Sequence, residues 1–192
     1  EQASGHGCLL TAWTLSACTN RESPYKFWRI AWGGPLFMLV KGWAVLDGPA
    51  FPILGKGDEE PNDTFKQQLV GSAAAAIDAV VEMGVADRDK MAVGGHSYGA
   101  FMTSHLLSHT DLFKAGLARS GAYNRSLTPF GFQSEQRTYW SDTDLYIEMS
   151  PFTHVKSLAQ RRNPILLIHG QVSHRCCSKP RNEHQHFASS LL

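Results

Sequence analysis

A parallel β-sheet flanked by helices, the α/β class, is the architecture this sequence predicts. Three observations predict it. From residue 35 onward, short apolar runs alternate with stretches of helical period. The longest such stretch, residues 65–83, carries one continuous apolar face. The segment GGHSYGA, Gly94–Ala100, sets a serine between glycines where a strand-like run gives way to a helix-like one.

The elements are read in chain order. Residues 1–34 mix Trp, Cys, Arg and Gly without a period, and no element is read there. WAVLDGP, 43–49, is an apolar run closed by Gly-Pro, hence a buried strand and a loop. The loop at 51–61 holds two prolines and two glycines, and Asn62, Asp63 or Thr64 can cap the next element. That element is a helix with Phe65, Leu69, Ala73, Ala76, Ile77, Val80 and Met83 on one face, ended by Gly84. KMAVGG, 90–95, reads as a strand and AFMTSHLLSH, 100–109, as a helix. KAGLARSG, 114–121, and PILLIHG, 164–170, read as strands, and the polar and aromatic stretch 122–147 as an excursion over the sheet edge. Such alternation predicts helices on both faces of the sheet. The reading divides the chain into a segment 1–34, a domain 35–170 and a tail 171–192.

Composition narrows the function classes. The 192 residues are 43% hydrophobic and 18% charged with net charge +1, an ordinary globular balance. Nothing in it points to nucleic acid or to an anionic membrane surface, and no apolar run reaches the length of a membrane span. The chain begins with Glu rather than Met, and a processed or incomplete sequence is expected. The cysteines, Cys8, Cys18, Cys176 and Cys177, leave the middle of the chain empty, which fits a reducing compartment better than a disulfide framework. The adjacent pair Cys176-Cys177 lacks metal-ligand spacing, so neither metal nor cofactor is expected.

Gly95-His96-Ser97-Tyr98-Gly99 has the GxSxG form. Between a strand and a helix, this pattern builds a sharp turn that holds the serine hydroxyl out at the carboxyl end of the sheet. Glycines on both sides let the turn pack closely. The following helix aims its N-terminus at the site, and the Tyr98 backbone N–H can donate to an oxyanion. Ser97 is therefore the candidate nucleophile and Tyr98 the candidate oxyanion donor.

VADRDKMAVGGHSYGAFMTSHLL, residues 85–107, resembles the nucleophile region of the prolyl oligopeptidase family of serine peptidases, and within it the chloroplast-type glutamyl endopeptidases. The stretches 42–63, 116–133, 146–154 and 163–170 extend the resemblance in order. It implies an α/β-hydrolase domain that normally follows a β-propeller. It implies a peptide or protein substrate cleaved through an acyl-enzyme on Ser97. It also implies the chloroplast stroma for a plant protein, and the cytoplasm otherwise. A preference for glutamate needs cations near the substrate carboxylate, and Arg119, Arg125 and Arg137 are the candidates.

Two departures bear on activity. By the resemblance, the triad Asp follows the strand that ends in His-Gly; at that position stands Ser173, and residues 171–182 hold no Asp or Glu. The family's His belongs after a further strand, beyond this tail, so the hydrolase domain is expected to be incomplete at its C-terminus. A serine without a base and its orienting carboxylate is a poor nucleophile, and loss of a triad member costs about 10⁴–10⁶ in kcat. His96, His105, His109, His169, His174, His184 and His186 are all weaker candidates for a base. An esterase on the same fold and an inert homologue are the alternative readings. Trp32-Gly33-Gly34-Pro35 is read as a turn rather than an oxyanion loop. Asp58-Glu59-Glu60 is read as a solvated run, and Phe130, Phe132, Tyr139 and Trp140 as core.

Overall fold

Five parallel strands run side by side in a computed structural model that describes residues 7–12, 37–133 and 135–170. They are β1 (Cys8–Ala12), β2 (Ala44–Asp47), β3 (Met91–His96), β4 (Ala115–Arg119) and β5 (Ile165–Ile168), in the spatial order β2-β1-β3-β4-β5. Cys8 is in register with both Ala44 and Met91, Val93 with Gly116, and Gly116 with Ile165. Residues in register share a face, and Cys8, Met91, Val93, Gly116 and Ala118 on that face are buried.

The strands expected at 43–49, 90–95, 114–121 and 164–170 are all present, shorter by one or more residues or shifted by one. β1 lies in the stretch where no element is legible. Its five residues are too few to reveal a period.

Helix α1 (Phe37–Val40) leads into β2. Helix α2 (Phe65–Glu82) buries Phe65, Leu69, Ala73, Ile77 and Val80, five of the seven expected face residues, and Ala76 packs beside them. Met83 departs from the expected face: it is 72% exposed. The helix ends at Glu82, and Gly84 turns the chain away at φ +71°, so Met83 lies past the last full turn. The proposed caps act otherwise than expected. Thr64 flanks α2 without a side-chain cap, whereas the Asp63 carboxylate accepts from the Glu60 backbone N–H at 3.1 Å, and Asn62 turns inward.

Helix α3 (Tyr98–His109) starts two residues earlier than expected and is buried at every position from Gly99 to Ser108. It packs on β3 and β4 so closely that a Cβ added at Gly116 would stand 2.2 Å from Leu107 Cδ1. Only glycine fits there with the Leu107 side chain where it is. Its buried hydroxyls are satisfied within the helix: Thr103, Ser104, Ser108 and the following Thr110 each donate to a carbonyl four residues back, at 2.7–3.0 Å. The excursion contains helix α4 (Thr143–Glu148), and α5 (Val155–Arg161) then packs beside α3 ahead of β5. On the sheet face opposite α3, Leu166 and Ile168 are 50% and 42% exposed, so β5 is open there among the described residues.

One buried polar group in α3 has no such partner. His105 is 2% exposed, and neither ring nitrogen makes a hydrogen bond. Its ring stacks on His109 at 5.4 Å, tilts toward His154 at 6.2 Å and meets Phe101 edge-on at 4.6 Å. Burial drives its pKa well below the ordinary 6.5, and the charges of His109, His154 and Arg125 add to the shift. A backbone group of Met149 offsets part of it without meeting either nitrogen in good geometry. His109 is lowered too, again mainly by burial.

These shifts fix the sign of the pH dependence. A histidine that resists protonation only when folded contributes stability that is fully present above about 6.5 and is lost as pH falls below it. The unfolding midpoint should therefore hold between pH 8 and 7 and drop from pH 6.5 downward. His105→Leu should flatten that drop. Urea titrations across the range check this, and a wild-type midpoint unchanged from pH 7.5 to 5.5 would refute it.

Candidate active site

Strand β3 delivers the chain to Ser97 with backbone angles of φ 58° and ψ −114°. That is the left-handed side of backbone space, which a serine adopts only at a cost of about 1–3 kcal/mol. The turn is held from both sides. The Ser97 N–H donates to the Arg119 carbonyl at the end of β4, at 2.9 Å. The Ser97 carbonyl accepts from Ala100 and Phe101 in the first turn of α3, at 3.1 and 3.2 Å. Gly99 and Ala100 are fully packed, while Ser97 itself is exposed. The glycine-flanked serine is thus on the strained strand-to-helix turn that its spacing predicts.

Tyr98 is the first residue of α3. Its backbone N–H is one of those that a helix start leaves without an intrahelical acceptor. Its ring packs against Phe65 and Phe101, with centroids 6.4 and 5.2 Å apart. Burial pushes the phenol up to about 12, against a smaller opposing effect of Arg125, so it stays protonated at neutral pH.

The carboxyl end of the sheet gathers the neighbouring pieces. The Ser120 N–H donates to the Ile168 carbonyl at 2.8 Å, which aligns the ends of β4 and β5 with the serine turn. Gly121 then passes so close that a Cβ would meet the Tyr123 ring at 2.8 Å and Ala100 Cβ at 2.9 Å. Tyr123 therefore lies against the base of the elbow, its buried hydroxyl without a hydrogen-bond partner and its pKa raised to about 12 by burial.

The three candidate arginines have separate fates. Arg119 closes β4, half-buried, and its Nε donates to His96 Nδ1 at 3.4 Å. Arg125 is 4% exposed, its guanidinium 4.1 Å from the Phe101 ring centre and 4.7 Å from that of Phe132. Arg137 is engaged by local acids: it meets Glu135 through two parallel bonds at 2.8 Å, and Asp63 and Asp142 at 2.7 and 3.1 Å. Burial alone would raise the Glu135 pKa. The Arg137 fork, the Arg137 backbone N–H and the Asn62 amide outweigh it and hold the carboxyl at about 2. This knot fastens the excursion to the start of α2. No local signal marks it in the sequence, because its members come from positions 62–63, 135–137 and 142.

The histidines are dispersed. His96 is turned to Arg119, His105 and His109 lie along α3 with His154 beside them, and His169 is exposed just past β5. Among the described residues nothing hydrogen-bonds the Ser97 hydroxyl, and no His, Cys, Asp or Glu cluster could hold a metal. Ser173, His174, Cys176, Cys177, His184, His186 and the Trp32–Pro35 turn lie outside the described residues. Asp58, Glu59 and Glu60 are exposed, as expected of a solvated run. Of the four aromatics read as core, Phe132 is buried and Tyr139 half-buried, but Phe130 and Trp140 are 80% and 67% exposed and pack on each other at 5.5 Å. Both sit on turns of the excursion, where the pattern of aromatics carries no information about which side faces in.

Known proteins share this arrangement. The sequence model of the prolyl oligopeptidase family matches residues 59–181. A probable chloroplastic glutamyl endopeptidase of Arabidopsis thaliana is 57% identical over 152 residues, which cover 79% of this chain and 16% of that protein. An acylamino-acid-releasing enzyme of the same plant is 30% identical over 119 residues, 54% of this chain and 15% of that one. The chain thus spans about a sixth of the length of these relatives. Among solved structures, a puromycin-hydrolyzing peptidase of Mycobacterium tuberculosis superposes with a TM-score of 0.56 at 20% identity, over 86% of this chain and 25% of that one. The fold is that of the α/β-hydrolases, and with its exposed serine on the elbow between β3 and α3 the chain belongs to the prolyl oligopeptidase family of serine peptidases.

Proposed function

We propose that this chain is the nucleophile-bearing part of a serine endopeptidase that cleaves peptide bonds after glutamate. The observation that carries the reading is Ser97, exposed at φ 58° on the turn between β3 and α3. In the reaction, Ser97 Oγ bonds to the scissile carbonyl carbon as its proton leaves to a base. The carbonyl electron pair moves onto oxygen, and the Tyr98 N–H stabilises the resulting charge. Collapse of that intermediate expels the amine, which takes up a proton, and water then cleaves the acyl-enzyme. The name of the 57%-identical Arabidopsis relative supports both the glutamyl preference and a chloroplast location.

Arg119 and Arg125 are the proposed cations for the substrate carboxylate. Arg119 ends the strand beside the elbow, and its carbonyl already holds the Ser97 turn. Arg125 lies behind Phe101 and lends positive charge toward Tyr98. The domain 35–170 and the tail 171–192 remain a proposed division of the chain. A second reading, an elbow without its catalytic base, is favoured by the Ser97 hydroxyl, unbonded among the described residues, and by the lack of Asp and Glu in residues 171–182.

A fluorophosphonate probe, read by peptide mass spectrometry, separates the two. The peptidase reading expects labelling at Ser97, abolished in Ser97→Ala. A folded chain that stays unlabelled would establish the inert reading. With peptidyl phosphonates carrying Glu or Gln next to the phosphorus, Arg119→Gln should lower the Glu-over-Gln labelling preference about tenfold, as expected for one charge-assisted hydrogen bond. An unchanged preference would remove Arg119 from the site. Ser97→Gly relieves about 1–3 kcal/mol of backbone strain against about 0.5–1 kcal/mol of glycine entropy. The Ser97 side chain makes no cap bond that would be lost. The variant should gain about 1 kcal/mol in urea unfolding while losing all labelling, and a loss of stability would contradict the strain.

A further inference from the structure

Three histidine rings pack on one another where the chain returns from the excursion toward β5. His105 and His109 lie one turn apart on α3, stacked with centroids 5.4 Å apart. His154 ends the short turn Pro151–His154; its ring meets His109 edge-on at 4.5 Å and leans toward His105 at 6.2 Å. The rings are graded in exposure: His105 is buried, while His109 and His154 are half-buried. Phe65 of α2 and Phe101 pack on the His105 ring at 5.2 and 4.6 Å. The peptidase reading uses none of these imidazoles.

Charged groups reach the cluster from every element packed on it. α2 contributes Lys66 and α4 contributes Glu148, joined at 2.6 Å. Arg125, from the turn after β4, bears on His105. Arg161 of α5 donates to the Ser108 and His109 carbonyls at 3.2 and 3.3 Å and is paired with Asp111 at 2.5 Å. Glu148 is the carboxylate that draws protons toward His109, and Lys66 already engages it. Neutral imidazoles stack at these distances, whereas imidazolium rings repel one another and the nearby cations.

The segment held by the cluster is thinly buried. No residue of α5 is buried, and Pro151 is the one buried residue of the turn before it. Both pack on α3, with Leu158 half-buried against the core. His154 ties the front of the segment to α3 and Arg161 ties its end. Segments with so little buried surface open ahead of the core of a fold. Two further bonds connect this one to the surroundings of the serine elbow. The Phe152 N–H donates to the Tyr123 carbonyl at 3.0 Å, and the Arg125 N–H to the Ser150 hydroxyl at 2.9 Å.

We propose that His105, His109 and His154 form a pH-sensitive clasp: neutral, it holds residues 150–161 against α3, and its protonation releases that segment while α3 and the sheet stay folded. Release exposes the rings to water and lets them take up protons that the packed cluster disfavours. The released state therefore binds more protons than the clasped one. Its population rises as pH falls below about 6.5, by up to about tenfold per pH unit for each proton gained. The bonds to Tyr123 and Arg125 are given up together, so the wall beside Ser97 loosens with the segment. The clasp does not depend on the peptidase reading.

Hydrogen–deuterium exchange of the full chain between pH 7.5 and 5.5, with labelling times scaled to the intrinsic rate, tests this. Peptides covering 150–161 and the Arg125 amide should lose at least about tenfold in protection over that range, while peptides of β3 and α3 keep theirs. His154→Phe keeps a ring against His109 that takes no proton, and should shrink the loss. His105→Phe/His154→Phe should shrink it further. Protection of 150–161 that is independent of pH, an equal loss in β3 and α3, or the full wild-type response in His154→Phe would each overturn the proposal.

Discussion

The burial of α3 is the constraint on which the rest of the structure depends. A helix whose positions 99–108 are all buried has nowhere to send a polar side chain. Its hydroxyls therefore bond back to their own carbonyls, and the sheet beneath it gives up a side chain at Gly116 so that Leu107 can seat. With the helix fixed that closely, its first turn has no freedom, and the connection from β3 must be made in a single residue. Ser97 takes the positive φ that this connection demands. The strain at Ser97 is thus a consequence of packing further along the helix, and the exposure of its hydroxyl comes from the same geometry.

Around that helix the aromatic side chains form a continuous link from elbow to excursion. Tyr98 and Phe65 pack with Phe101, Phe101 carries the Arg125 guanidinium, and Arg125 reaches Phe132, which meets Tyr146 edge-on at 5.1 Å. The Arg125 N–H also donates to the Ser150 hydroxyl at 2.9 Å. A cation between two rings joins helix and excursion with weakly hydrated surfaces on both sides, a role for which a lysine would be a poor substitute. The wall beside the serine is therefore set by packing as much as by hydrogen bonds.

Much of this is legible in the sequence, for identifiable reasons. The apolar face of α2 repeats often enough to show its period, and the strand-to-helix switch around Ser97 is marked by glycines on both sides. The illegible parts depend on partners distant in the chain. β1 has no period of its own and becomes a strand only because β2 and β3 offer it edges on both sides. Arg137 looks the same in sequence as Arg119, and only the fold adds the distant Asp63 to its neighbours Glu135 and Asp142. The exposed faces of Phe130 and Trp140 are set by turns whose direction no residue pattern encodes.

The knot around Arg137 also bears on the order in which the chain acquires its structure. Its bonds join Asn62 to Glu135 and Asp63 to Arg137, 73 and 74 positions apart. Contacts of that sequence separation reward the chain only after the intervening loop has been closed, and the closure entropy has to be met first. Between the two ends lie α2, β3, α3 and β4, and these too have distant partners: β3 pairs with β1, and β4 with β5. The elbow and the excursion are thus both tied down through contacts of long sequence separation. Closing those loops costs chain entropy at both places, and a topology of this kind slows folding.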